Sequence, residues 1–465
     1  MAGIRFPRDF NLKNLFILTS TGVIDIKYIM NEISLQEDLF NNVVSGYVMV
    51  TEGQGYVESL SLTGSEFLYI SFDKDGTGNN QISGWFRIYK IDDRKLSENM
   101  YGEAYRLHFC SEELFISEQY KISKSYFNTS IKDIILDICG KNGNGTGGDG
   151  LKNLKISKKL DFDDTKGLYS FVVPGLKPFD AINWLSTYAQ PKIEYQSADM
   201  VFYENRDGFH FKSLQNLISN PNVYNTYHYD PKNIYPATRQ NLSEELTNAI
   251  TYEFLESFDT LKGVSAGVFA NKLISVDVLT RKVKQTDFDY FKYKNNSASL
   301  NKYPIINNYI NRNGDQLNQS SAATLKLVFS NFDEHDPSNA SALSAALNPD
   351  KNTHYPSIAP NIYAETYIPY RTAQLSLLNY TRIRISVPGD PGLAVGKVIN
   401  FDLLSNSPNN KAPNAYYSGK YLITAVRHLI DQSQYRTVME IAKESATSPY
   451  VANPNGKGSW TKAIE

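Results

Sequence analysis

Few side chains in this 465-residue chain are spaced for chemistry. Glu66 stands in the turn Leu62-Thr-Gly-Ser-Glu66. A glycosidase would need a second carboxylate placed beside it, and no motif supplies one, so Glu66 reads as a turn or interface carboxylate. Asp333-Glu-His-Asp336 gathers metal-binding residue types. Adjacent residues on one loop rarely converge on one ion without further ligands. Gly140 to Gly150 (GKNGNGTGGDG) is rich in glycine. The nucleotide-binding pattern ends in Gly-Lys-Ser/Thr and opens a helix, whereas here Lys141 precedes the glycines, so the stretch reads as a surface loop. Cys110 and Cys139 have no metal spacing and no disulfide framework. Their apolar neighbours (Leu107, Phe109; Ile135, Ile138) predict buried free thiols in a reducing compartment. His210 is an isolated imidazole on a hairpin, and the six histidines offer no pair on one helix face. No catalytic residue, cofactor or metal is expected.

The elements around these residues are mainly strands. Aromatic residues make up 13% of the chain, with 32 Tyr and 24 Phe, which favours half-buried strand faces. A net charge of −2 argues against general nucleic-acid binding, which needs a basic surface, but not against a duct through which DNA slides. Met1 to Asp9 has no apolar core, and no stretch approaches the ~18 apolar residues of a membrane span. A chain made and folded in a cytoplasm, without membrane insertion, is the expectation.

The first part, residues 1–124, holds at least six strand-like runs. Phe16 to Ser20 and Val23 to Ile29 flank Thr21-Gly22 as a hairpin. Asn42 to Thr51 is a strand with Gly46 as a bulge or close-approach point. A turn at Gly64 leads into the strand Phe67 to Phe72, and Trp85 to Ile91 and Ala104 to Cys110 follow. The regular spacing suggests a closed antiparallel barrel. In residues 125–245, Asn128 to Cys139 reads as a helix capped by Thr129 or Ser130, with Ile131, Ile134, Ile135 and Ile138 as its stripe. A second helix starts at Pro178, buries Ile182, Trp184, Leu185 and Tyr188, and stops before Pro191. Val201 to Lys212 is a hairpin turning near Asp207-Gly208.

Residues 246–445 open with Asn248 to Glu256. Lys272 to Leu279 reads as a strand, and Gly263 and Gly267 interrupt any long helix before it. Asp287 to Pro360 reads as long excursions with little core. Ala364 to Asn379 is a helix carrying Tyr367, Arg371, Leu375 and Leu378. Four strands follow: Thr381 to Val387, Lys397 to Leu403, Gly419 to Ile430 and Tyr435 to Ala442. They make most of a second small barrel. Residues 446–465 read as a tail that orders against a partner.

A strand followed by PGDPGL, then SGKYLITAVRH and a Tyr-x-Thr return strand, resembles the end of the baseplate hub proteins of contractile-tailed phages, which have relatives in type VI secretion spikes. EDLFNNVVSGYVMV, LSLTGSEFLYISF and YRLHFCSEELFISEQYKISKSY resemble the first tube-like domain of the same family, in the same order. The helix from Pro178 and the hairpin after it resemble the inserted α+β domain. The resemblance implies an α+β, mainly β fold, with two small antiparallel barrel domains and an inserted α+β domain. It implies a structural adapter rather than an enzyme: a homotrimer joining the six-fold tail tube ring to a three-fold central spike, which could carry a lysozyme. The implied partners also include baseplate wedge proteins and DNA that passes without specific binding. The implied place is the virion tail, assembled in the host cytoplasm.

Rival classes are a tail-associated cell-wall hydrolase and a carbohydrate-binding tail component. The first lacks its paired acids or metal cluster, and the second would show tandem repeats or an aromatic platform. A duct that lets a genome slide should not be strongly basic. The strands Asn42 to Thr51 and Leu60 to Phe72 contain no Lys or Arg. Val44, Val48, Val50, Glu52, Glu66 and Tyr69 are therefore the candidate tube-facing or duct-facing residues.

Overall fold

The computed structural model describes the chain apart from residues 1–5, 21, 60–61, 75–79, 97–101, 141–152, 194–196, 220, 230–241, 278–280, 309–315, 320–324, 330–363, 405–413, 415 and 449–465. Asp333 to Asp336, the glycine run beyond Gly140 and the tail after Ser448 thus lie outside the described residues.

In chain order the first strands are β1 (Asn11–Thr19), β2 (Gly22–Asp25), β3 (Met30–Asp38), β4 (Ser45–Glu52), β5 (Phe67–Asp73), β6 (Ile82–Leu96) and β7 (Glu103–Cys110). The middle of the chain adds β8 (Ile122–Thr129), β9 (Leu160–Phe162), β10 (Tyr169–Leu176), β11 (Met200–Asn205), β12 (Gly208–Ser213) and β13 (Val223–Tyr229). Then come β14 (Thr251–Glu256), β15 (Ala270–Asp277), β16 (Lys282–Asp289), β17 (Tyr303–Pro304) and β18 (Leu325–Phe329). The last are β19 (Thr381–Pro388), β20 (Val398–Leu403), β21 (Gly419–Asp431), β22 (Tyr435–Lys443) and β23 (Ser445–Ala446).

The architecture is mainly β, as expected. One 13-stranded sheet runs β14-β19-β22-β21-β3-β4-β7-β6-β5-β1-β2, with β20 on β21 and β13 on β20. Closure of either half into a barrel does not occur among the ladders of the described residues. The path is open, and the two halves are joined edge to edge where β21 pairs antiparallel with β3, from Ala425↔Asp38 to Asp431↔Glu32.

Each half repeats one strand order. β3-β4-β7-β6-β5 in the first corresponds to β14-β19-β22-β21-β20 in the second, antiparallel at every step and in the same chain order. The correspondence reaches individual residues. The β6–β7 ladder steps out of register between Ile88 and Lys90, and the β21–β22 ladder does so between Ile423 and Ala425. Beyond these five strands the halves differ: β1 lies antiparallel to β5, whereas β13 lies parallel to β20.

The cores interlock across the junction. Leu15, Ile33, Val48, Leu68 and Phe109 pack with Ile430 and Tyr435 from β21 and β22. Ile383, Phe401, Tyr421 and Met439 pack with Leu39, Val201 and Tyr203. A third core lies between the helices Ile131–Ile138 and Pro178–Ser186 and the β11–β12 hairpin, around Phe202, Phe209 and Phe211.

Local signals explain these helices. The Ser130 side chain accepts from Asp133 N (3.1 Å) as an N-cap, and all four expected isoleucines are buried. Gly140, at φ +91°, follows in the left-handed region that ends helices. Pro178 sits in the first turn of its helix. Among the described residues after Asp287, Phe288, Tyr290, Tyr293 and Ile305 pack beneath Ala373 and Leu377 of the helix Ala364–Leu378. Tyrosines spaced irregularly carry no period, so tertiary packing alone reveals their burial.

Candidate functional site: the junction and the faces beside it

The junction of the halves holds a connected set of buried polar groups. Glu37, on β3, is 1% exposed. Arg206 N donates to its Oε1 (2.9 Å) and Val395 N to its Oε2 (3.1 Å). One carboxyl thus ties β3 to the tip of the β11–β12 hairpin and to the loop between β19 and β20. The Arg206 guanidinium donates onward to the Pro391 carbonyl. Burial pushes the Glu37 carboxyl up to about 7, against the pull of those two N–H groups. Asp390, in the PGDPGL turn, accepts from Tyr224 OH (3.0 Å) and Tyr227 OH (3.2 Å), bringing β13 to the same point.

His428, on β21, is fully buried with Nδ1 2.7 Å from Tyr435 OH. Burial, aided by the nearby Arg206 charge, pushes its imidazole down to about 3. It is a neutral hydrogen-bonding member of the core. On the other face of the junction Arg427 donates from Nε to Ser34 Oγ and from Nη2 to Tyr47 OH, both at 2.8 Å. These groups fix the angle between the halves; nothing in their arrangement presents a reactive atom to solvent.

The structure places each of the six candidate tube-facing or duct-facing residues in the single chain. Val44, Val48 and Val50 are buried in the first core, at 4%, 0% and 0% exposure. Strand residues alternate faces, and the outward phase of β4 is Tyr47, Met49 and Thr51. Glu52 is buried and accepts from Gly55 N and Tyr56 N, both at 2.8 Å. Glu66 is buried and accepts from Thr63 N and Gly64 N, both at 2.9 Å. Burial would raise the Glu66 carboxyl, but these donors hold it below the ordinary value, the opposite of what a general acid needs. Both glutamates organise their own turns. Tyr69 is half-buried on the outward face.

There Tyr69 meets Phe16 and Trp85, with ring centroids 4.9–5.6 Å apart, and Trp85 is 47% exposed. The Arg87 guanidinium lies over Phe67 (4.2 Å). The Phe16, Tyr69 and Trp85 rings tilt by 32° to 79° from one another, so they form no flat platform for a sugar.

Cys110 and Cys139 are both free and buried, and burial pushes the Cys110 thiol up to about 12. His210 is not a plain surface residue: it stacks on Tyr203 (5.0 Å), with Nε2 2.8 Å from Asn205 Oδ1. No group of His, Cys, Asp and Glu fit to hold a metal occurs among the described residues. No described helix is long and apolar enough to cross a membrane.

Sequence reasoning missed β3, Glu37, Arg206 and His428. Ile33 and Leu35 do alternate, but Glu37 continues their face as a buried acid and breaks the apolar pattern of a strand.

No family model matches the chain. A probable baseplate hub protein of Vibrio phage KVP40 is 22% identical over 433 residues, covering 91% of this chain and 92% of the relative. The crystal structure of a tail protein from Neisseria meningitidis MC58 superposes with a TM-score of 0.53 at 8% identity, covering 94% of this chain and 97% of that one. A 43 kDa tail protein of prophage MuSo2 from Shewanella oneidensis gives 0.49 at 8% identity, covering 93% and 98%. The chain is thus similar over nearly its whole length to a probable baseplate hub protein.

Proposed function

We propose that three copies of this chain form an adapter joining a six-fold tail tube to a three-fold central spike around a channel for DNA. The carrying observation is the repeated strand order, β3-β4-β7-β6-β5 and β14-β19-β22-β21-β20. A chain with two similar units supplies six docking surfaces when three chains assemble, which reconciles six-fold with three-fold symmetry. In this reading residues 1–124 and 246–445 are the two tube-like domains, 125–245 is the α+β domain and 446–465 a tail. The spike, with or without a lysozyme of its own, and the wedge proteins are the other partners, and assembly occurs in the host cytoplasm.

The chain itself is not an enzyme in this reading, since Glu66 is a turn carboxylate and not a proton donor. Mass measurement of the purified chain under assembly conditions tests the stoichiometry. Three chains of 52.5 kDa each are expected; a stable monomer or hexamer overturns it. Clearing of peptidoglycan by the purified chain, lost on Glu66→Gln, would overturn the structural reading.

A further inference from the structure

Two buried polar atoms meet at one internal cavity. Asp289 caps the short helix Tyr290–Asn295, its Oδ1 accepting from Phe291 N (2.9 Å) and Lys292 N (3.3 Å). Helical spacing then sets Tyr290, Tyr293 and Lys294 on one face. Lys294 Nζ reaches Glu444 Oε1 (3.2 Å), which also accepts from Leu300 N (3.0 Å). The other carboxylate oxygen, Glu444 Oε2, and the Tyr290 hydroxyl are both buried, and neither has a hydrogen-bond partner among the described residues. Glu444 is 7% exposed and Tyr290 0%. Both residues line a cavity of about 20 Å³, walled elsewhere by Asp199, Leu214, Ile218 and Leu377. Leu214 and Ile218 come from the helix Leu214–Ser219 after β12, and Leu377 from the helix Ala364–Leu378. The cavity thus lies where the middle of the chain packs on the second half.

We infer that this cavity is a binding site for one water molecule, which accepts from the Tyr290 hydroxyl and donates to Glu444 Oε2. Such a site lies within one chain and is independent of the assembly proposed above.

The balance of donors and acceptors selects water. A polar group buried without a bond loses its hydration with no return. Burial, then the Glu444 charge, pushes the Tyr290 hydroxyl up, so it keeps its proton and donates. Glu444, paired with Lys294, offers an acceptor. The two oxygens do not bond each other, so the group between them must accept from one and donate to the other. Water does both. A metal cation cannot accept a hydrogen bond, wants more oxygens than these two, and meets a carboxylate whose charge Lys294 already answers. Size agrees, because one water needs a cavity of roughly 10–15 Å³ or more. A buried water makes about three bonds, and the Asp199 carboxyl, which also lines the cavity, is the remaining acceptor.

A density map of the full-length protein that resolves ordered waters tests the site. One peak is expected within about 2.6–3.2 Å of both the Tyr290 hydroxyl oxygen and Glu444 Oε2. No density there, in a map that shows other buried waters, overturns the site. A peak ringed by several oxygens at about 2.0–2.6 Å is a cation and overturns it too. The sign of one substitution gives an independent reading. Tyr290→Phe removes only the hydroxyl. With a water joining that hydroxyl to the carboxylate, the variant's folded-to-unfolded ratio should fall roughly 2–10-fold, and its unfolding midpoint with it. A hydroxyl facing a dry cavity is an unpaired buried group whose deletion brings relief. An unchanged or raised midpoint therefore overturns the proposal.

Discussion

Arg206 N donates to the carboxyl of Glu37, 169 positions earlier, across 2.9 Å. Through this contact the inserted hairpin, the first half and, by way of Val395, the second half share one buried acid. The relative placement of three parts of the chain thus depends on a group whose charge changes near neutrality.

Glu37→Gln should alter the pH dependence of stability. The folded carboxyl keeps its proton to about 7, against an ordinary value of 4.5. Its favourable contribution is complete below the lower value and is lost as pH rises through the upper one, on the order of 3 kcal/mol in all. Urea unfolding at pH 5 and pH 8 should show wild type losing this contribution and the variant not. At pH 5 the variant should be about 1–2 kcal/mol weaker, because an amide cannot accept from both N–H groups.

His428→Phe should act with the opposite sign. Imidazole protonates near 6.5 in the open chain but only at about 3 in the fold. Its contribution is complete above the higher value and is lost as pH falls toward the lower one. Between about pH 4.5 and 6.5 the two groups oppose each other. Unfolding free energies there should rise with pH in the Glu37 variant and fall in the His428 variant. Parallel curves for the two would refute the assignment. Above pH 7 the Phe variant should still be about 1–3 kcal/mol weaker, from loss of the hydrogen bond between the Tyr435 hydroxyl and the imidazole.

Gly46→Ala should strike the first half where β3 and β4 touch. A methyl at this position would run into the Ser34 carbonyl and come within 2.6 Å of Phe109 Cζ. Overpacking of this kind costs about 1–3 kcal/mol, sometimes more. A lowered denaturation midpoint, with protease cleavage appearing near β3, is the expected result.

Ser130→Ala should cost about 1 kcal/mol by removing the cap of the Ile131–Ile138 helix. The loss should be independent of the Glu37 and His428 effects, since its core lacks both groups. Thermal unfolding of single and double variants checks both size and additivity.

Local rules were enough for much of this protein. Ser130 before four periodic isoleucines, Pro178 in a first turn, Gly46 at a close approach and the alternating strands of each half all act within a few residues, so their consequences are written in the order of the chain. Three features needed the tertiary structure. Periodicity reveals that Val44, Val48 and Val50 share a face but not which face meets the core, and the partner strands decide that. β3 reads as polar because its face ends in Glu37, a residue that is buried only where Arg206 and Val395, 169 and 358 positions away, bring their N–H groups to it. Likewise, the joining of two halves into one sheet is a pairing of strand margins. Margins are backbone, and backbone carries no side-chain signature by which a sequence could announce its partner.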